Sequence, residues 1–290
     1  MINYNSKEEI KQFLEDRGLG MRKKYGQNFM INPMVRAKLL DALEIQAGSR
    51  VWEIGPGLGA MTAGLLERSA ELTVFEIDPA FARIIRENFG SAIRLVEGDV
   101  LKTWPSIEAG EELFLFGNLP YNIAAALLAD FTEKGRFFAR IVVTVQREVA
   151  QRMWAKPGTP GYSSFSVLCS SAYKVSPLQV IHRSSFYPAP RVDSQGVRMD
   201  LLPGKGKRPE LFYPLVRRLF SARRKTIRNS LSIYISQVIM SGGAAVSPKE
   251  ITAEVLSRAH INGDCRAETL GIEEFDALAV SLEEIIAHGF

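Results

Sequence analysis

From Arg50 onward, short apolar runs rich in β-branched and aromatic residues alternate with stretches whose apolar positions recur at helical spacing. The runs are RVWEI, ELTVFEI, AIRLVEG, ELFLFGN and RIVVTVQ, and the helical stretches lie near 60–69, 79–89, 122–134 and 147–155. Strand–helix alternation of this kind predicts a mostly parallel sheet with helices on both faces. Such a sheet takes ligands at the carboxyl ends of its strands, near the point where strand order reverses. Ahead of it, Ser6 and Glu9 form a capping-box pattern before IKQFL and predict a short helix, and Asn32-Pro33 opens another that runs to about Glu44. Behind it, KVSPLQVIHR and RVDSQGVRMDLL predict two more strands, joined through FYPAPR as a hairpin at one edge of the sheet.

The breaker cluster PGKGKRPE at 203–210 predicts a domain boundary. Beyond it LFYPLVRRLFSARRKTIRNSL, a segment after Ser247-Pro248, and IEEFDALAVSLEEII all carry helical periodicity. The expected organisation is an α/β domain over 1–203, whose first 32 residues are a helix and a basic arm, followed by a small all-α domain over 204–290. No internal repeat is visible.

Composition narrows the class. With 46% apolar and 23% charged residues in 290, the chain has the make-up of a soluble globular protein. No apolar run nears the ~18–20 residues of a membrane span, and MINYNSKEEIKQF is too polar for a signal peptide. Two cysteines, Cys169 and Cys265, and three scattered histidines make neither a disulfide framework nor a zinc site. A cytoplasmic protein without a metal is expected.

Charge changes the picture once it is divided along the chain. The net charge is +4, but the 62 residues from Asn229 carry nine acids against three bases, −6, so the first 228 carry +10. The bases cluster at Arg22, Lys23 and Lys24, at Arg136, Arg140, Arg147 and Arg152, and along RRLFSARRKTIR at 217–228. The last stretch holds Arg217, Arg218, Arg223, Arg224, Lys225 and Arg228 without one acid. A solvated helix face is the ordinary explanation for a charge run; six cations without a carboxylate exceed that need and point to a polyanion, with nucleic acid the natural candidate.

Strand RVWEI runs directly into Gly55-Pro56-Gly57-Leu58-Gly59-Ala60 and then into the helix AMTAGLLER. This satisfies G-x-G-x-x-G/A, and Glu76 stands at the end of the next strand, so the spacing fits a dinucleotide fold. Two acids argue against a pyrophosphate there. Glu53 lies two residues before the first glycine, and Asp99 follows the third strand on the same rim. S-adenosylmethionine, with a sulfonium, an ammonium and no phosphate, suits three carboxylates better. The glycines then permit close backbone approach to its methionine half, Glu76 accepts from the ribose hydroxyls, and Asp99 accepts from the adenine amino group. For Glu53, a ligand role and a loop-bracing role stand as equal alternatives.

Asn118-Leu119-Pro120-Tyr121 sits where the fourth strand ends. A plain turn accounts for Asn and Pro in that place, but the set also meets the needs of an exocyclic amine, a poor nucleophile whose lone pair is delocalised into its ring. The Asn118 side-chain oxygen and the Leu119 carbonyl can accept its two N–H bonds, and Tyr121 offers a stacking face worth ~1–3 kcal/mol. Guanine would leave both acceptors unpaired. Adenine N6 fits, and the same logic admits cytosine N4.

KKYGQNFM, EIGPGLGAMT, FEID, EGDVL, GNLPYNIA, VQREVAQRM with AKPGTPGY, SFYPAPRVDS, ARRKTIRNSL and CRAETL, in this order, resemble the ribosomal RNA adenine N6-dimethyltransferases over nearly the whole chain. The resemblance implies a Rossmann-like class I methyltransferase with a seven-stranded, mostly parallel sheet and a small all-α C-terminal domain. It implies a methyl-donor site at Asn28, Met30, Gly55, Glu76, Asp99 and Asn118, to which the glycine-loop reading adds Gly57 and Glu53, and it implies Phe186 opposite Tyr121 to sandwich the target base. It further implies dimethylation of two adjacent adenosines near the 3′ end of 16S rRNA within the 30S subunit or its precursor; a monomer is expected. Arg22, Lys23, Lys24, Arg147, Arg223, Arg224, Lys225 and Arg228 are the expected RNA contacts. Met30 stands where the family usually has Leu, YSSFSVLCS at 162–170 departs from the usual pattern, and the segment before Lys23 is longer than typical, with packing or capping its default role. The competing functions are a large-subunit (23S) rRNA adenine methyltransferase and a mainly non-catalytic ribosome-assembly factor.

Overall fold

A computed structural model describes residues 2–20, 27–108, 110, 112–119, 123–204, 208–222, 224–239 and 247–288. In chain order the elements are α1 (Lys7–Asp16), β1 (Phe29–Met30), α2 (Pro33–Asp41), β2 (Arg50–Ile54), α3 (Ala60–Glu67), β3 (Glu71–Glu76), α4 (Pro79–Phe89), β4 (Ile93–Glu97) and α5 (Val100–Thr103). There follow β5 (Leu113–Asn118), α6 (Ala124–Glu133), β6 (Arg140–Gln146), α7 (Arg147–Met153), α8 (Ser164–Ala172), β7 (Tyr173–Ile181), β8 (Phe186–Tyr187) and β9 (Ser194–Leu201). The last four helices are α9 (Phe212–Ser221), α10 (Ile227–Ile239), α11 (Pro248–Arg258) and α12 (Ile272–Ala287). No helix among the described residues is long and apolar enough to cross a membrane.

Seven strands form one sheet in the order β4-β3-β2-β5-β6-β9-β7. The five from β4 to β6 are parallel to their neighbours, and β9 lies antiparallel to β6. Strand order reverses between β2 and β5, where Ile54 stands opposite Gly117, so the crevice for a ligand opens at that point. Alternation along each strand supplies two cores. Val51, Val74, Phe114 and Phe116 turn to one face and pack with Leu39, Leu40 and Leu65 from α2 and α3. Trp52 turns to the other, its ring centroid 5.0 Å from Phe75, 6.2 Å from Phe131 and 5.7 Å from Phe138.

The FYPAPR connection does more than turn a hairpin. β9 inserts next to β6 and leaves β7 at the edge, while Phe186 and Tyr187 leave the main sheet to pair antiparallel with β1. Met30 stands opposite Phe186 and Phe29 opposite Tyr187.

The chain divides into two compact units, and the division is not a single cut at 203. Residues to Ala150 with Lys174–Leu201 form one, and Gln151–Tyr173 with Leu202–Phe290 form the other. Residues 151–173, expected with the α/β domain, group with the helices because Tyr162 and Val167 belong to their core, among Phe212, Leu215, Val255 and Phe275. Tyr162 also donates its hydroxyl to the Leu270 carbonyl at 2.8 Å. The run at 211–231 is two helices, not one. The N–H groups of Ile227 and Arg228 bond to the carbonyls of Cys265 and Gly263 at 2.8 and 2.9 Å, which starts α10 afresh.

Candidate active site

The glycine loop leaves β2 with Gly55 at φ +70°, its N–H donated to the Phe75 carbonyl at 2.9 Å. A Cβ on Gly55 would meet nothing within 4 Å, so that side of the loop is open. Gly57, at φ +59°, is closed in: a Cβ there would stand 3.1 Å from the Phe29 ring. Two adjoining cavities share Asn28, Phe29, Gly55, Gly57 and Asn118 as walls. The first adds Glu76, Ile77, Asp99 and Val100 at the ends of β3 and β4. The second adds Tyr4, Met30, Glu53 and Met61. Asn28, Met30, Glu53, Gly55, Gly57, Glu76, Asp99 and Asn118, the eight residues expected to hold a cofactor, therefore all line one or both cavities.

Their acids differ in environment. Glu53 is 1% exposed, and its Oε2 has no hydrogen-bond partner among the described residues. Burial pushes its carboxyl up to about 8; the neighbouring Thr62 hydroxyl opposes the shift and Glu76 adds to it. Burial likewise raises Glu76 to about 7, against the N–H groups of Asp78, Ile77 and Gly57, while Asp78 pushes the same way as burial. The Asp78 N–H reaches Glu76 Oε1 at 2.8 Å. Asp99 is half-buried and caps α5, accepting the Leu101 N–H at 3.1 Å. Among the described residues lining either cavity there is no lysine or arginine.

Asn118 closes β5 with its Nδ2 donated to the Asn28 backbone carbonyl at 3.0 Å. That bond fixes the amide and leaves Oδ1 as its acceptor. Leu119 is buried, its N–H bonded to the Thr144 carbonyl at 3.1 Å, which extends the β5–β6 pairing by one residue. Pro120 and Tyr121 lie outside the described residues. Phe186 is 3% exposed and packs in the core that contains Met30 and Ile181.

Of the expected RNA-binding cations, Arg147, Arg224, Lys225 and Arg228 are exposed, and Arg228 lies 3.7 Å from Asp264. Arg22, Lys23, Lys24 and Arg223 lie outside the described residues. The basic run from Arg136 to Arg152 is not a continuous solvent rim. Arg140 pairs with Asp200 at 2.5 Å and Glu44 at 2.6 Å, and Arg136 lies over the rings of Trp52 and Trp104 at 5.5 and 5.6 Å. Arg152 is half-buried, 6.0 Å above the Phe165 ring.

Several wall residues escape sequence reasoning. Ile77, 43% exposed beside Glu76, offers the first cavity an apolar surface. Phe29 covers the glycine loop, and the glycine it requires at position 57 was the available signal. Tyr4 reaches the second cavity from the N-terminal segment, which carried no signal for it.

Three kinds of likeness bear on the chain. It is 44% identical over 288 residues to the ribosomal RNA small subunit methyltransferase A of Treponema pallidum (strain Nichols), covering 98% of this chain and 99% of that one. To the protein of the same name from Treponema denticola it is 41% identical over 294 residues, covering 99% and 96%. A dimethyladenosine transferase from Plasmodium falciparum shares the fold at TM-score 0.75 and 24% identity, over 87% of this chain and 96% of that one. A 23S rRNA methyltransferase shares it at TM-score 0.59 and 22% identity, over 87% and 98%. Residues 18–273 match the family described as ribosomal RNA adenine dimethylase. With that match across most of its length and relatives of more than 40% identity end to end, the chain belongs to the ribosomal RNA adenine dimethylase family.

Proposed function

We propose that this protein methylates adenine N6 in small-subunit ribosomal RNA, converting two adjacent adenosines near the 3′ end of 16S rRNA to their N6,N6-dimethyl forms. The observation that carries the choice of cofactor is the wall of the crevice. Glu53, Glu76 and Asp99 meet there, and no cation among the described lining residues offsets them. A pyrophosphate would find no cation and would disfavour ionisation of the buried carboxyls further, whereas a sulfonium and an ammonium favour their ionised forms. The unpartnered Oε2 of Glu53 fits such a cation as well. The names carried by relatives at 41–44% identity favour the small subunit over the large.

When bound, S-adenosylmethionine supplies an electrophilic methyl group. Glu76 accepts from its ribose hydroxyls and Asp99 from its adenine amino group, with Ile77 and Val100 as apolar walls. Holding the carboxylates at the periphery matters, because a carboxylate against the sulfonium would stabilise the ground state more than the transition state. Asn118 Oδ1 and the Leu119 carbonyl accept from the target amine and set its lone pair in line with the methyl group. Tyr121 presents one face to the base, and the family resemblance assigns the other to Phe186, whose ring lies buried beside Met30. No general base is needed in the transfer itself, since the methylated nitrogen is a strong acid and sheds its proton afterwards. The protein acts as a monomer in the cytoplasm, on the 30S particle or its precursor, and the exposed Arg147, Arg224, Lys225 and Arg228 bind the RNA backbone.

The test is transfer of a tritiated methyl group to unmethylated 30S and 50S subunits, with NADH titration alongside. Label confined to 30S particles and no NADH binding support the proposal. Label on 50S particles transfers it to the large-subunit enzymes, and NADH binding without methyl transfer overturns it.

A further inference from the structure

The second cavity has a wall that none of the family's motifs supplies. Tyr4 lines it from the segment ahead of α1, and its hydroxyl is buried with no hydrogen-bond partner among the described residues. A second buried oxygen on the same cavity, Glu53 Oε2, shares that condition. A buried hydroxyl or carboxylate left unpaired is costly, so the two together mark a place built for a polar occupant.

The phenol is held in position by the fold. Arg36 on α2 donates to the Tyr4 carbonyl at 3.4 Å and the Met30 carbonyl at 2.7 Å, and it also bonds Asn5 Oδ1. Ser6 caps α1 by accepting the Glu9 N–H at 3.1 Å, and Ile10 and Leu14 pack with Phe29, Leu58 and Phe81. Through Phe29 and Leu58 the helix therefore bears on the glycine loop itself. The phenol also feels the carboxylate: burial first and Glu53 second raise the pKa of Tyr4 above its ordinary value, with Arg36 opposing. Tyr4 thus remains a hydroxyl, a donor, next to a group that can only serve a cation when ionised.

An occupant that satisfies both must carry a positive and a negative group a few bonds apart. Resting on the reading of the crevice as a methyl-donor site, we propose that Tyr4 donates a hydrogen bond to the α-carboxylate of the donor's amino-acid end, while Glu53 receives the α-ammonium. The N-terminal segment is on this account part of the cofactor site, and it distinguishes ligands by their amino-acid end.

Calorimetric titration of wild type and Tyr4→Phe with S-adenosylhomocysteine and with 5′-methylthioadenosine, which lacks the amino-acid end, tests this. The substitution should weaken S-adenosylhomocysteine about tenfold to a hundredfold and leave 5′-methylthioadenosine unchanged. The free protein should melt no lower than wild type, because the hydroxyl removed had no partner. Unchanged S-adenosylhomocysteine affinity overturns the inference, and so does an equal loss for both ligands, which would mark a packing role. Wild type that binds neither ligand overturns the methyl-donor reading beneath it.

Discussion

Asn118 gives its side-chain Nδ2 to the backbone carbonyl of Asn28 at 3.0 Å, tying the end of β5 to the arm that leads into β1. Two crevice residues far apart in sequence are thereby fixed against each other, and the acceptor oxygen of Asn118 is set for a substrate amine. Asn118→Ala should lower kcat for methyl transfer by well over tenfold, since orientation is the main catalytic contribution asked of this residue. Affinity for S-adenosylhomocysteine should change far less. Single-turnover rates and calorimetry on the same protein separate the two effects.

The buried carboxyls predict an unusual pH dependence of stability. Glu53 and Glu76 sit near 8 and 7 in the folded chain, above the 4.5 of a free carboxyl. Across the window from about 4.5 to about 8 the folded state holds protons that the unfolded state has released, so stability falls as pH rises. The thermal midpoint of the ligand-free protein should decline through that window, and Glu53→Gln should flatten the decline and raise the midpoint at pH 8. A midpoint that climbs from pH 5 to pH 8 would show that these groups ionise freely.

Gly57 combines a left-handed backbone with the Phe29 ring 3.1 Å from where a Cβ would stand. Gly57→Ala therefore strains both the loop and its cover, at a cost of about 1–2 kcal/mol from the backbone alone. The expected outcome is a lower thermal midpoint and weaker S-adenosylhomocysteine binding, measured by scanning calorimetry and titration. Gly55→Ala should cost backbone strain without the steric part, because its Cβ would enter open space.

The cations separate by their partners. Arg140 faces Asp200 across the β6–β9 pair and also holds Glu44, so Arg140→Ala should lower the melting temperature and leave RNA affinity intact. Arg224 and Lys225 are exposed. Replacing both with alanine should reduce the slope of log affinity against log salt by roughly 0.7–0.9 for each phosphate no longer neutralised. Filter binding to 30S particles at several salt concentrations reads this directly.

These contrasts show which parts of the molecule the sequence could disclose. β2, β3 and β5 were legible because strands buried on both faces leave short unbroken apolar runs, and the crevice was legible because motifs sit at the strand ends. The β1–β8 pair was not, since two-residue strands separated by most of the domain leave no periodicity. Helix α8 was hidden because SFSVLCSSA interleaves four serines with β-prone Phe and Val and shows no clear helical spacing; its start is set by the capping pair Ser163 and Ser166. The break between α9 and α10 was invisible because helical spacing continues across it, and long-range bonds to Gly263 and Cys265 impose it. Arg140 illustrates the same limit for function: a cation in sequence looks alike whether it meets solvent or Asp200. Tyr4 shows it for the site, because a lone tyrosine before a capping box carries no sign of the cavity it reaches.

The measurement that bears most directly on the whole account is nucleoside analysis of 16S rRNA recovered from unmethylated 30S particles after incubation with the protein and S-adenosylmethionine. The account predicts two N6,N6-dimethyladenosines per 16S rRNA, adjacent and near the 3′ end, and neither of them with Asn118→Ala at matched times. A methylated base other than adenine, or dimethyladenosine found only in 23S rRNA, would contradict it.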